Sequence, residues 1–202
     1  MNEKKLQPFS LVEIAPKRRA FIWKSLAALA AGTGLARTIA APSGPAAAPR
    51  VTKEVTIEKF SAAGKFEGMV KVPKVVKTDQ EWRNQLTGPA FKVTRQDGTE
   101  PPFSGKYANN HADGLYRCIC CDTALFDAKT KFESGTGWPS FWQSISQTNV
   151  LKSSDRSFGM QRDAISCALC DAHLGHVFDD GPKPTGLRYC MNSVSLNFVP
   201  RA

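Results

Sequence analysis

Six cysteines in a chain of 202 residues constrain the fold most tightly. They are Cys118, Cys120, Cys121, Cys167, Cys170 and Cys190. Cys118-Ile119-Cys120-Cys121 and Cys167-Ala168-Leu169-Cys170 each contain Cys-x-x-Cys. Two residues between thiolates allow a tight turn to aim both sulfurs at one metal, and two such turns complete a closed tetrahedral site. Cys118 and Cys121 match the spacing of Cys167 and Cys170, which leaves Cys120 over. Forty-five residues separate Cys121 from Cys167, so the two turns come from distant segments and a shared metal would staple them together. Disulfides in an oxidising compartment and a redox-active Cys-x-x-Cys are the competing uses of the same pattern.

The rest of the chain offers elements for those turns to staple. Val51, Val55 and Ile57 alternate onto one face, Ser61 to Lys65 forms a turn around Gly64, and Phe66 to Val72 resumes, which predicts a β-hairpin. Thr78 and Asp79 can cap a short helix through Leu86, with Trp82 and Leu86 sharing a face. Thr87 caps a second short helix ending before Asp97-Gly98. After Asp113-Gly114, short apolar runs alternate with Gly, Pro, Asp and Ser clusters, the spacing of a mainly antiparallel β domain.

Charge is concentrated at the start. Residues 1–50 carry eight Lys/Arg and two Asp/Glu, a net +6 of the total +9. A basic leader on a nearly balanced domain argues against nucleic acid as a partner. The 42% apolar content supplies a core, and no apolar run reaches the roughly 18 residues of a membrane span. Lys17-Arg18-Arg19, the alanine-rich stretch Ala20 to Ala36 and the small residues Thr38 to Ala41 follow the order of a secretory signal. The paired arginines, Lys24 and the modest hydrophobicity resemble a twin-arginine signal, which exports folded proteins to the periplasm. An uncleaved anchor or a basic tail is the other reading. This divides the chain into a signal at 1–41, a linker and hairpin at 42–77, and a domain at 78–200.

Cys190 stands apart, between Arg188-Tyr189 and Met191-Asn192-Ser193. It is either a buried structural cysteine or a nucleophile whose pKa a nearby Arg or protonated His lowers. His173 and His176 follow the second knuckle, and four thiolates would leave their imidazoles free for proton transfer. His111 reads as a loop residue. Gly135-Thr136-Gly137-Trp138-Pro139-Ser140-Phe141-Trp142 is a glycine-rich aromatic loop on which Trp138 can line a small pocket, with Phe141 and Trp142 better placed in the core.

Together these motifs resemble the B-type methionine sulfoxide reductases, specific for the R epimer at sulfur. The resemblance rests on Gly114 to Cys118, Lys131 to Phe141, Cys167 to Phe178, Asp180-Gly181-Pro182 and Pro184 to Ser193, and covers about Asp79 to Pro200. It implies two antiparallel β-sheets with short N-terminal helices, and one structural zinc held by Cys118, Cys121, Cys167 and Cys170. It implies Cys190 as nucleophile, His173, His176, Arg188 and Asn192 around the substrate oxygen and the thiolate, and Trp138 with Phe178 against the substrate methyl. Implied partners are proteins or peptides carrying methionine sulfoxide and a thioredoxin-like or other thiol reductant, with the protein a monomer that makes no stable membrane insertion after processing. Many members carry a resolving cysteine where this chain has Thr136, so the route of re-reduction differs. Two other classes fit the motifs: a zinc-bearing binding module without catalysis, and a thiol–disulfide oxidoreductase using the Cys-x-x-Cys pairs.

Overall fold

The computed structural model describes residues 52–155 and 162–201. Val51 and the leader, with its signal and cleavage region, lie outside the described residues.

The expected hairpin comprises β1 (Glu54–Phe60) and β2 (Phe66–Pro73), paired antiparallel. Ser61 N donates to Lys65 O at 2.9 Å to close the turn, and Ile57 is its buried anchor. The hairpin is tied to the rest of the chain through polar groups. The buried Asn149 amide donates to Glu58 O at 2.9 Å and accepts from Glu58 N at 2.8 Å, and Arg117 donates to Phe60 O at 2.8 Å.

Helix α1 (Asp79–Gln85) begins where local chemistry requires. Thr78 Oγ1 accepts from Glu81 N at 3.3 Å and Glu81 Oε2 accepts from Thr78 N at 2.6 Å, a complete capping box. Thr87 caps α2 (Gly88–Arg95) through Ala90 N at 3.3 Å. The two helices bury Trp82, Ala90, Phe91 and Val93. Among the described residues no helix is long and apolar enough to cross a membrane.

The remaining strands are β3 (Gly114–Cys118), β4 (Ala124–Asp127), β5 (Lys131–Phe132), β6 (Ser140–Phe141), β7 (Val150–Asp155), β8 (Arg162–Cys167), β9 (His173–Phe178), β10 (Arg188–Met191) and β11 (Leu196–Pro200). They form a six-stranded sheet ordered β5-β6-β10-β9-β8-β7 and a three-stranded sheet ordered β11-β3-β4. Every pairing is antiparallel. This is the mainly β architecture with two helices that the sequence predicts.

Aromatic rings join the two sheets. Phe126 of β4 stacks on Phe141 of β6 at 4.5 Å between centroids, and Tyr116 of β3 meets Phe141 edge-on at 5.0 Å. Fully burying one such ring is worth about 1.5–3 kcal/mol. Alternation along β10 sends Tyr189 and Met191 into this core and leaves Arg188 and Cys190 on the opposite face.

That opposite face becomes a site through a bulge in β9. Register with β8 runs His176 to Ala164, Gly175 to Ile165, then His173 to Ser166, so β9 carries one extra residue. In a regular strand, residues three apart face opposite sides. The inserted residue reverses the alternation, and His173 and His176 face the same cavity with ring centroids 5.3 Å apart.

Candidate functional site

Two chemically distinct places emerge, a thiol cluster and a pocket around Cys190. The knuckles of the cluster are built alike. Each Cys-x-x-Cys is followed by an Asp in the left-handed region, Asp122 at φ +62° and Asp171 at φ +55°. Asp tolerates that conformation better than most residues. Asp122 N donates to Cys118 O and Asp171 N to Cys167 O, both at 2.9 Å. The helices hold the turns from outside: Gln85 Nε2 donates to Cys120 O at 2.7 Å and Arg95 to Cys170 O at 2.8 Å.

The Sγ atoms of Cys118, Cys121, Cys167 and Cys170 all lie within 4.8 Å of one another. Cys118 and Cys170 are 3.6 Å apart at sulfur, and Cys121 and Cys167 3.5 Å. Tetrahedral metal–thiolate bonds of about 2.3 Å place sulfurs about 3.8 Å apart. A disulfide needs about 2.05 Å. The set therefore fits one four-thiolate metal ion, with each partner sulfur drawn from the other knuckle. Cys120 is buried and outside the four.

The second place is a cavity of about 170 Å³ lined by Thr136, Trp138, His176, Phe178, Arg188, Cys190 and Asn192, with Thr99, Arg162 and Gly175 completing the wall. Drug-sized ligands occupy roughly 300–1,000 Å³, so this space suits the end of a side chain. Cys190 pairs with His176 across β9 and with Ser140 across β6. Gly175 permits this approach, because a Cβ there would lie 2.2 Å from Cys190 O. On the far side the Gly135–Trp138 loop folds over. Gly137 has φ +88°, and a Cβ there would lie 2.6 Å from Phe103 N. The loop brings Thr136 Oγ1 to 3.8 Å from Cys190 Sγ, held by Ser134 Oγ at 2.8 Å. It also aims Trp138, whose Nε1 donates to Glu100 O at 3.2 Å.

Arg188 is fixed beside the thiol. It makes two hydrogen bonds of 2.8 Å to Asp180 and lies over the Phe178 ring, 4.3 Å from its centroid. Those bonds lower the Asp180 carboxyl and raise Arg188 further, so the guanidinium stays charged. A cation so placed would by itself lower Cys190. The net direction is the reverse: burial pushes the thiol above its ordinary value, and Thr136 and Arg188 offset only part of that. Desolvation outweighs one partly screened cation here.

The histidines divide. His176 lines the Cys190 cavity, and its Nε2 sits 2.9 Å from Asp155 Oδ2. His173 lines the adjoining cavity and is buried, and that burial, followed by the nearby His176, lowers its pKa from the ordinary value. The Asn192 amide is committed to backbone and Thr99: it accepts from Glu100 N at 2.9 Å and from Thr99 Oγ1 at 3.1 Å, and donates to Leu174 O at 3.1 Å. Phe141 is core, Trp142 is half-buried, and His111 lies in an exposed loop 3.8 Å from Glu133.

The structure also adds residues that the sequence reading did not single out. Glu100 is buried, and its carboxylate accepts from Ser193 N at 2.7 Å and Val194 N at 3.1 Å, which holds the turn after Asn192. Asp155 and Thr99 complete the surroundings of His176 and Asn192. These contacts span from 21 to 94 positions, and no local motif signals them.

The SelR domain family matches residues 86–200, which contain both places. Peptide methionine sulfoxide reductase MsrB of Pseudomonas entomophila (strain L48) is 56% identical over 128 residues, 63% of this chain and 98% of the relative. The MsrB of Thioalkalivibrio sulfidiphilus (strain HL-EbGR7) is 57% identical over 121 residues, 60% of this chain and 88% of its own length. That of Herminiimonas arsenicoxydans is 54% identical over 125 residues, 62% of this chain and 91% of its own. With more than half of the chain matched and nearly the whole length of these relatives covered, the protein belongs to the SelR-domain family of MsrB-type methionine sulfoxide reductases.

Proposed function

We propose that the protein reduces the R epimer of methionine sulfoxide, chiefly within oxidised proteins or peptides, to methionine, and so repairs proteins under oxidative stress. The observation that carries this reading is Cys190 Sγ in a side-chain-sized pocket walled by Trp138, Phe178, His176 and Arg188. A sulfoxide sulfur becomes electrophilic once its oxygen is protonated. The Cys190 thiolate attacks that sulfur while His176, with His173 behind it, supplies the proton. The S–O bond to methionine breaks and the oxygen ends on Cys190. Methionine leaves with the electron pair it gained, and Cys190 is oxidised to a sulfenic acid. Trp138 and Phe178 pack the S-methyl, which selects the epimer by excluding the methyl from the oxygen's place. Two external thiols then return Cys190 to the thiol, with one disulfide and one water as products.

Zinc fits the four-thiolate cluster and would be structural there, a closed d¹⁰ centre without redox chemistry. Cys118, Cys121, Cys167 and Cys170 hold it, one ion per chain. Their commitment to that site argues against a thiol–disulfide oxidoreductase, and the separate Cys190 pocket argues against a binding module alone. The assay that tests the reading uses R- and S-sulfoxide peptides with dithiothreitol and with thioredoxin. R-specific turnover is expected; equal reduction of both epimers, or of neither, would refute it.

Re-reduction proceeds without an internal partner. Thr136 occupies the place beside Cys190 where a second thiol would act, and Cys120 is buried against the helices with its carbonyl bound by Gln85. Cys120→Ser is expected to keep full turnover, with one sulfenic-acid probe trapped at Cys190 in the oxidised enzyme. A Cys120–Cys190 disulfide after one turnover, seen by mass spectrometry, would overturn this. A thioredoxin-like protein or a small thiol serves as reductant, and the enzyme works as a monomer.

The leader exports the folded protein to the periplasm by the twin-arginine route, a reading supported by Lys17-Arg18-Arg19 ahead of the alanine-rich stretch. A receptor reads that pair, so changing Arg18 and Arg19 to Lys should leave the precursor in the cytoplasm. Fractionation that finds the double variant exported as well as wild type would exclude the route.

A further inference from the structure

The carboxylate of Asp155 lies at the end of β7, three strands away from β10, which carries Cys190, and two from β9, which carries His176. Its Oδ2 is 2.9 Å from His176 Nε2 and 3.0 Å from the Arg162 guanidinium. Both side chains of the Asp155–His176 pair are largely buried, at 22% and 17% exposed. The register explains how the contact arises. His176 pairs with Ala164 on β8, and Ala164 pairs with Ser153 on β7. Asp155 stands two residues from Ser153 on the same face and directly opposite Arg162. The small Ala164 side chain between them leaves the space that the carboxylate crosses.

We propose that Asp155 is a positioning residue for His176: it fixes Nε2 as the protonated ring nitrogen and leaves Nδ1 to serve the sulfoxide oxygen in the Cys190 pocket. This rests on the reading of Cys190 and His176 given above. An ionised carboxylate only accepts hydrogen bonds, so the nitrogen facing it carries a hydrogen in either charge state of the ring. The neutral ring is therefore the Nε2–H tautomer, and Nδ1 is the atom that takes up and releases the proton. Arg162 shares the same carboxylate oxygen and keeps it in place. His173, with its centroid 5.3 Å away, and Phe178, at 6.5 Å, limit the tilt of the ring on its other sides. Without Asp155 the ring can turn over and present the wrong nitrogen to the substrate.

The experiment compares wild type with Asp155→Asn and Asp155→Glu. Two-bond ¹H–¹⁵N correlation of the imidazoles, assigned with His176→Gln, reads the tautomer without any turnover. Wild type should show His176 as Nε2–H. In Asp155→Asn, Arg162 claims the amide oxygen and the amide NH₂ faces the ring, so the Nδ1–H tautomer or a mixture is expected. The rate of the first turnover on an R-sulfoxide peptide should fall roughly 10- to 100-fold, a share of the ~10²–10⁴ that a placed general acid contributes. Peptide affinity and melting temperature should stay close to wild type, and Asp155→Glu should recover most of the rate. A folded Asp155→Asn protein with the wild-type tautomer and an undiminished first turnover overturns the proposal. An inactive wild type would instead overturn the reductase reading, and the tautomer measurement would still decide the role of Asp155.

Discussion

Cys190→Ser should reduce no R-sulfoxide peptide, with a loss of about 10⁴-fold or more in the first turnover, the scale on which removing a nucleophile acts elsewhere. The reason lies in where the oxygen goes. On sulfur it is held as a sulfenic acid, which an external thiol reverses. On serine the same transfer would create an O–O bond, which is far weaker than the bond broken. The hydroxyl also stays protonated in a pocket where even the thiol is pushed above its ordinary value by burial. That direction has its own readout. Alkylation of Cys190 by iodoacetamide in the substrate-free enzyme should rise with pH through a midpoint above the ordinary thiol value of about 8.5, because a raised pKa means less thiolate at any given pH. An early midpoint near 6 would show that the neighbouring Arg188 and Thr136, not burial, set the thiol, whereas a Cys190→Ser enzyme with measurable R-specific reduction would remove Cys190 from the role given to it. The variant should keep its metal and its melting temperature, since Cys190 lies outside the four-thiolate cluster.

Cys167→Ser should have the opposite profile, with metal lost and the fold weakened first. Structural zinc sites bind with apparent free energies of about 10–16 kcal/mol in small domains, and that binding energy is folding energy. Here the aromatic core carries part of the stability, so a loss of roughly 3–5 kcal/mol is expected, a fall of roughly 10 °C or more in melting temperature. Activity should fall as well, although no cluster cysteine touches the Cys190 pocket. Cys167 N donates to Ala172 O at 2.9 Å, and the chain enters β9 at His173 directly afterwards. A loosened knuckle therefore loosens the bulge that places both histidines. Metal content measured by atomic emission, with a melting curve, checks this. Cys167→Ser retaining one metal per chain and a wild-type melting temperature would refute the four-thiolate site. Cys120→Ser, one residue from a ligand, is the matched control and should retain both.

What the sequence determined by itself was the chemistry that is local. The knuckles were legible because two residues between cysteines define a turn that aims both sulfurs at one point without help from elsewhere. The helix starts were legible for the same reason: Thr78 with Glu81 satisfies its own orphan N–H groups within four residues. The face shared by Arg188 and Cys190 follows from strand alternation alone. The long ordered motifs between Gly114 and Ser193 added the family and its implied site. The tertiary structure decided everything that depends on a neighbour distant in the chain. Periodicity puts His173 and His176 on opposite faces of a strand, and only the mismatch of β9 against β8 turns them to one side. Asp155 meets His176, and Glu100 meets Ser193, through pairings that no window of sequence contains. The direction of the Cys190 shift was decided in the same way. The sequence shows the nearby Arg188, but how much water the fold removes from the sulfur is a property of the packed pocket, and that desolvation outweighs the charge.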